Sequence, residues 1–325
     1  MASVWGRLRR RVLTPSDSET SLDKRGFNKK NPEAVELLEN VGKYFLRGYG
    51  HAVEARTIEE AEENLEQIPE QFRGFSYEGA GMGLAMLDGL PLPGKDHVTR
   101  FLQGRGANHV YIIYVGVGWA MARLPRFAWP KFESLDPLLG WLALDGYGFH
   151  QAYFKTQKYV EGQYQDPHFP WPAGQSAYAN RVIDQGIGRA LWFVAGTDAE
   201  LATKMIEKFP EARRGDLYAG AGLAATYAGG PDEAELTGFA DRAGIHRHMV
   251  AQGSAFAAEC RVLSDLVTPH THLAVKVFCG TTPEKAAQRT IDLREGLEAD
   301  GDLPTYEVWR QRIANEYVSL GGVNS

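Results

Sequence analysis

Residues 68–89 read IPEQFRGFSYEGAGMGLAMLDG and residues 209–230 read FPEARRGDLYAGAGLAATYAGG. The two stretches align without gaps, and nine of the 22 positions are identical: Pro69, Glu70, Arg73, Gly74, Tyr77, Gly79, Ala80, Gly81 and Gly89 match Pro210, Glu211, Arg214, Gly215, Tyr218, Gly220, Ala221, Gly222 and Gly230. Self-similarity of this length marks a duplicated module. Upstream, Thr57-Ile-Glu-Glu60 and Thr197-Asp-Ala-Glu200 both read as capping boxes, in which a Thr and the Glu three residues on satisfy orphan amides at a helix start. Apolar residues follow at helical spacing, Ile58, Ala61 and Leu65 in one copy and Leu201 and Met205 in the other, until a proline stops each helix. Further back, Val41-Gly42-Lys43 and Ile187-Gly188-Arg189 open comparable aromatic segments. The shared unit is therefore a helix, a capped helix, an Arg-Gly turn and a Tyr-x-Gly-Ala-Gly segment.

This repeat divides the chain into a first half, residues 27–170, and a second half, residues 171–305. A basic N-terminal arm, residues 1–26, and a short tail, residues 306–325, flank them. Downstream of the Gly-Ala-Gly segments the copies diverge. His109–Gly116 (HVYIIYVG) has the β-branched and aromatic content of a buried strand, and Leu273–Cys279 (LAVKVFC) is its counterpart. The expected fold is α+β, with two homologous halves packed about a pseudo-twofold axis and a site at their interface.

Composition narrows the function. The 325 residues are 44% hydrophobic and 23% charged, an ordinary globular balance. The net charge of -6 gives no overall positive field, so nucleic acid is not an expected partner. No apolar run reaches the roughly 20 residues of a membrane span, and the N-terminus lacks the apolar core of a secretory signal, so a cytoplasmic protein with no membrane partner is expected. Cys260 and Cys279 fit buried thiols in a reducing compartment better than a disulfide framework. The first 30 residues carry eight Lys/Arg against three acids, which reads either as a partner-binding arm or as a solvated terminus.

Gly220-Ala-Gly222-Leu-Ala-Ala225 fits the dinucleotide fingerprint, but no strand precedes it and its sister copy has Leu84 at the third small position. Glycines that permit close packing explain it better, and no cofactor is expected. His246-Arg-His248 and His270-Thr-His272 match no zinc spacing, and no metal is expected either; His270 and His272 remain possible donors to an anion. Two segments are denser in chemistry than packing requires. Leu144–Phe154 puts Asp145, Tyr147, His150, Gln151 and Tyr153 within one or two turns, and Asp184–Trp192 adds Asp184, Gln185, Arg189 and Trp192. Positions equivalent by ancestry but different in chemistry add Glu78 (against Ala219), Asp216 (against Phe75) and Arg189 (against Lys43). Tyr77 and Arg214 complete the candidate set, although Arg73 and Arg214, kept in both copies, also suit holding the two turns.

The strings FRGFSYEGAGMGLAMLD, YVGVGWAMARL, LDGYGFHQAYF, DQGIGRALWFVAG and RRGDLYAGAGLAATYAGG together resemble the UnbL-type family, a domain of unknown function associated with actinobacterial enediyne gene clusters. The resemblance covers residues 25–290. It extends to the aziridine-forming proteins of azinomycin and vazabitide biosynthesis, and implies intramolecular displacement of sulfate by an amine on a carrier-bound substrate, with two related chains in a complex. Such chemistry needs a base for the amine and cationic donors for the departing sulfate. Asp145, Asp184 or Asp216 are the expected bases, and His150, Arg189 and Arg214 the expected donors. Tyr147, Gln151, Gln185, Trp192, Tyr77 and Glu78 are expected to contact the substrate. Two other classes stand beside this cofactor-independent enzyme: a non-catalytic protein that shelters an enediyne or polyketide intermediate, and a structural subunit that works only with a homologous chain.

Overall fold

The computed structural model describes residues 4–91 and 94–321. Among these residues the chain is all-α, and its one extended pairing is an isolated bridge between Asp300 and Leu303. The α+β expectation is overturned. His109–Gly116 lies mainly in the helix Val110–Met121, and Leu273–Cys279 in the helix Pro269–Cys279. The first of these was misread for a physical reason: every residue from Tyr111 to Met121 is buried. A segment buried on all sides shows no helical period, so its β-branched and aromatic content is the only signal left.

Nine helices carry the architecture: α1 (Val4–Leu13), α2 (Pro32–Glu54), α3 (Glu70–Gly89), α4 (Val110–Met121), α5 (Leu142–Phe154), α6 (Ser176–Val194), α7 (Glu211–Ala228), α8 (Arg247–Leu263) and α9 (Thr305–Gly321). Helices α2 to α8 form a row in which each packs parallel to the next, so that Tyr44 meets Phe72 and Ser76 while Gly83 meets Tyr49 and Val53, and likewise Gly215 meets His246 while Tyr227 meets Arg261. Glycines set that packing. Gly79 and Gly81 on α3, Gly116 and Gly118 on α4, Gly146 and Gly148 on α5, Gly186 and Gly188 on α6, and Gly220 and Gly222 on α7 all stand two apart. Two residues turn an α-helix through about 200°, so the pair faces opposite neighbours.

In every case the first glycine meets the preceding helix and the second the following one. Gly79 lies on the Phe45 carbonyl of α2 and Gly81 on the Ile113 carbonyl of α4; at the far end, Gly253 of α8 lies on the Ala219 carbonyl of α7. The contacts are reciprocal: Gly186 rests on Asp145 O while Gly148 rests on Ile183 O, and Gly220 rests on Gln185 O while Gly188 rests on Leu217 O. A Cβ at Gly79, Gly118, Gly146, Gly186 or Gly220 would stand 1.9 Å from a carbonyl oxygen. Only glycine lets these backbones touch, through Cα–H to carbonyl contacts. The G-x-G pairs are thus helix-to-helix spacers. The Arg-Gly turn and Tyr-x-Gly-Ala-Gly segment of the sequence reading are continuous helix, since Arg73–Gly81 lies within α3 and Arg214–Gly222 within α7.

The row curls until α7 and α8 reach α3, where Arg261 of α8 donates to Gln71 O. Tyr227 of α7 sets its ring edge against Phe75 of α3, centroids 5.0 Å apart, and its hydroxyl over Gly74. The two repeated stretches have the same local form: Pro69 and Pro210 are both N-caps with extended backbone, and Arg73 and Arg214 donate to Ile68 O and Phe209 O at 3.2 and 2.9 Å. The upstream caps differ. Thr57 accepts from Glu60 N as expected, but in the second copy Asp198 caps the helix, and Thr197 is left-handed (φ 62°) and packed on Gly230. Gly188 has its packing counterpart in Gly48, which lies on Ser76 O, whereas Gly42 meets Thr20; the partner of Arg189 by position is therefore Tyr49 and not Lys43.

The described parts of both flanking segments are helical. Helix α1 rests on α2, with Arg10 paired to Glu54 at 2.6 Å and Arg9 donating to Ala55 O. Residues 306–325, read as a tail, contain most of α9, whose Tyr306, Trp309, Arg310 and Ile313 are buried.

Candidate functional site

The curled row encloses three adjoining cavities. The largest, about 820 Å³ out to its mouth, is lined by Phe45, Phe75, Met82, Trp119, Phe149, Tyr153, Leu223 and Tyr227, with Glu78, His150 and Arg189 among them. Asp145 and Arg189 also border the second cavity, toward Phe256 and Cys260. Asp145 and Gln185 border the third, toward Gln252 and Tyr306. Pro15, Glu19 and Thr20 from the N-terminal segment, with Arg123, stand at the large cavity's wall.

The polar groups come from positions beside the spacer glycines. Glu78 precedes Gly79, Asp145 precedes Gly146 and Arg189 follows Gly188, so close backbone packing draws them into one interior. Arg189 Nη1 bonds Asp145 Oδ1, and Arg189 Nη2 lies 3.9 Å from Glu78 Oε1. All three are buried. One guanidinium thus serves two carboxyls. Burial pushes Glu78 up to about 7, and the opposing pull of Arg189 does not restore it; the Asp145 charge adds to the rise. Burial also raises Asp145, against the pull of Arg189. His150 is driven down to about 3 by burial and, secondarily, by Arg123 and Lys155, so its ring is neutral at pH 7.

Several polar atoms on this wall lack a well-formed hydrogen bond: Arg189 Nε and His150 Nδ1 have no partner, Trp119 Nε1 only approaches Glu78, and Tyr227 Oη only approaches Cys260. Buried polar groups of native proteins are nearly always satisfied, so a cluster of orphans in a cavity marks a place where a ligand or water belongs. Aromatic faces surround it. Trp119 packs edge-on to His150 at 5.4 Å and against Phe45 at 4.6 Å, and Arg189 lies 5.3 Å from the Phe149 ring centre. The site therefore offers hydrogen-bond donors, a carboxyl raised to near neutrality and an aromatic enclosure.

Asp145, His150, Arg189 and Glu78 are thus brought together, and the other sequence candidates lie elsewhere. Asp184 accepts two hydrogen bonds from Arg213, at 2.6 and 2.9 Å, and one from Gln165. Asp216 is held by Arg181 and Arg310, with Gln185 beside it. Tyr147 and Gln151 face a separate cavity behind α5. Trp192 donates to Gly229 O and packs on Phe239, Tyr77 stacks on His109 and bonds Glu66, and Arg214 ties Glu207 and Phe209 carbonyls at a helix start. His246 pairs with Glu211 and His270 Nε2 meets Ala225 O. Among the described residues no group of His, Cys, Asp and Glu is placed to hold a metal ion, and no helix is long and apolar enough to cross a membrane. Cys260 and Cys279 are free and buried.

Sequence reasoning missed Trp119 and Tyr227. Trp119 immediately follows Gly118 and occupies on α4 the place of Arg189 on α6, so the spacer register would have found it.

A family model described as a protein of unknown function (DUF1702) matches residues 4–317, and the chain belongs to that family. No curated protein and no solved structure matches it.

Proposed function

We propose that this DUF1702 chain is a cofactor-independent ring-forming enzyme of natural-product biosynthesis, in which the interior cavity holds a vicinal amino sulfate ester and closes it to an aziridine. The resemblance to the enediyne-associated UnbL-type group implies the amine and sulfate, and the cavity's chemistry suits them. The amine nitrogen attacks the carbon bearing the sulfate, an N–C bond forms, and the C–O bond breaks with its electron pair leaving on sulfate. The proton shed by nitrogen passes to the Glu78 carboxylate. Arg189 Nε–H and Trp119 Nε1–H donate to the sulfate oxygens, and Tyr227 Oη–H is a third donor on the same wall. The aromatic walls hold the organic body so that nitrogen lies opposite the leaving group, an effect worth about 7–11 kcal/mol in favourable cases.

The observation that carries this reading is Glu78, buried against a guanidinium it shares with Asp145 and raised to about 7. A base with that affinity takes a proton near neutral pH and returns it to solvent afterwards. An ammonium entering beside it would balance two carboxylates against one cation, and its burial among apolar walls, which disfavours the charged amine, drives the proton to Glu78.

The test is turnover of a synthetic vicinal amino sulfate ester by the purified full chain, followed by mass spectrometry of the aziridine and assay of released sulfate. Glu78→Gln is expected to lower kcat by about 10²–10⁴-fold, and Arg189→Met by about 10²–10³-fold. His150→Ala is expected to raise KM more than it lowers kcat, because a neutral ring with a free Nδ1 serves recognition. Full activity in Glu78→Gln would end the proposal. The apolar wall favours a second reading, a protein that shelters a polyketide-derived intermediate; binding of such a compound without turnover, by wild type and Glu78→Gln alike, would select it.

A further inference from the structure

Helix α5 separates two chambers. Asp145, Phe149, His150 and Tyr153 face the interior site, while Tyr147 and Gln151 face a cavity of about 590 Å³ on its other side, closed by the segment between α5 and α6. We propose that this outer cavity is a second binding site, for a small phosphate monoester that carries hydroxyl groups.

Its floor is built and only partly satisfied. Gln151 donates to Tyr147 Oη at 2.8 Å and leaves Oε1 without a partner; Asn180 donates to Asp166 O and Ser176 O, at 2.7 and 3.2 Å, and leaves Oδ1 without one. Both side chains are more than nine-tenths buried and line the cavity. Two free acceptors at the bottom of a polar cavity call for a ligand with donors, and ligand hydroxyls supply them.

The rim is cationic. Lys155, Lys158 and Arg126 line it, with Asp166 the one carboxylate among its walls. Asp166 is paired with Arg126 at 3.2 Å, and Lys158 sits 3.7 Å from the Tyr164 ring centre. Two lysine charges therefore remain uncompensated, matching the charge of about -1.5 to -2 on a phosphate monoester at pH 7. The wall is also held in place from behind. Gln165 donates to Asp184 at 3.1 Å, and the Arg213 that clamps Asp184 also donates to Gln163 O at 2.7 Å. A wide π-type turn, Gln157–Glu161, carries Lys158 and Tyr159 to the rim, a backbone form often found where binding occurs. Asp184, expected at the catalytic centre, thus acts as a positioning residue for this second cavity.

Isothermal titration calorimetry of the full chain with glycerol 3-phosphate tests the assignment, with inorganic phosphate and glycerol as separate probes. Wild type is expected to bind one glycerol 3-phosphate saturably, and the exposed pair Lys155→Ala/Lys158→Ala to bind it at least about tenfold more weakly with the melting temperature unchanged. Gln151→Leu is expected to weaken glycerol 3-phosphate about five- to tenfold and inorganic phosphate less than about twofold, because it removes the acceptor for a hydroxyl and not the phosphate contact. Glu78→Gln, on the interior side of α5, is expected to leave this binding as it is, so the two sites succeed or fail separately. The assignment is overturned if glycerol 3-phosphate gives no saturable heat, if the double lysine variant binds like wild type, or if inorganic phosphate binds as tightly as the ester.

Discussion

Helix α6 borders two buried charge clusters that are composed differently. Toward the interior cavity, Arg189 alone faces two carboxyls, Asp145 and Glu78. Toward α9, Asp216 and Glu307 face two guanidinia: Arg310 contacts both at 2.8 Å, and Arg181 contacts them at 2.9 and 2.7 Å, while Tyr178 donates to Glu307 at 2.9 Å. Burial opposes ionisation in both. At Glu307 the pull of Arg310 and Arg181 outweighs it and holds the carboxyl below its usual range, whereas at Glu78 burial wins and the carboxyl rises to about 7. Counting cations against carboxyls thus separates a cluster that fastens helices from one that can exchange a proton at neutral pH.

The contrast is open to attack by substitution. The largest effect is expected for Arg310→Met, which leaves Asp216 and Glu307 to share Arg181: a loss of about 3–5 kcal/mol in urea unfolding. Arg189→Met should cost less at pH 5 and more at pH 8, because two carboxyls that have lost their cation are raised further, and a raised acid gives up stability as pH climbs. Equal losses at both pH values for Arg189→Met would erase the distinction. Next comes the spacer lattice. Gly186→Ala drives a methyl into the Asp145 carbonyl beside the cluster, and about 3 kcal/mol should be lost in the same assay.

An effect of similar size concerns pH alone. Glu78 has its folded value raised from 4.5 to about 7, so the stability associated with its neutral form is present below pH 4.5 and drains away as pH rises through 7. Relative to Glu78→Gln, wild type should lose about 3 kcal/mol across that window, at 1.36 kcal/mol per pH unit of difference. Parallel stability curves for the two proteins would show that Glu78 is not perturbed. The smallest effect has the opposite sign: Gly238→Ala, in the helix Glu233–Arg242, meets only the flexible Arg242 end and should stabilise by about 0.5–1 kcal/mol.

How much of this was legible in the sequence follows from what sequence periodicity encodes. The duplicated stretch was readable because identity survives at the spacer glycines and at the Pro-Glu and Arg-Gly pairs. Helix was not readable in Val110–Met121, where a face-by-face contrast is missing because no face touches water. The glycine pairs looked like loop punctuation; only the neighbouring helix explains them, and the residue each meets lies about 25 to 41 positions away. Asp145, His150, Glu78 and Arg189 were found as dense or divergent chemistry, and they do converge. Tyr147 and Gln151 were placed with them because the spacing of two to six residues from Asp145 looked local, yet on a helix those offsets point to another side. Arg310 and Glu307 escaped notice because the last twenty residues read as a tail.

Because neighbouring helices in this molecule touch main chain to main chain, the width of the enclosure is fixed by backbone atoms and hardly by what protrudes into it. Residues such as Glu78, Val115, Asp145, Gln185 and Ala219, each just ahead of a spacer glycine, can then be exchanged for others of different chemistry while the frame keeps its dimensions. Members of the family that handle different molecules should differ there first, like rooms refurnished inside unaltered walls.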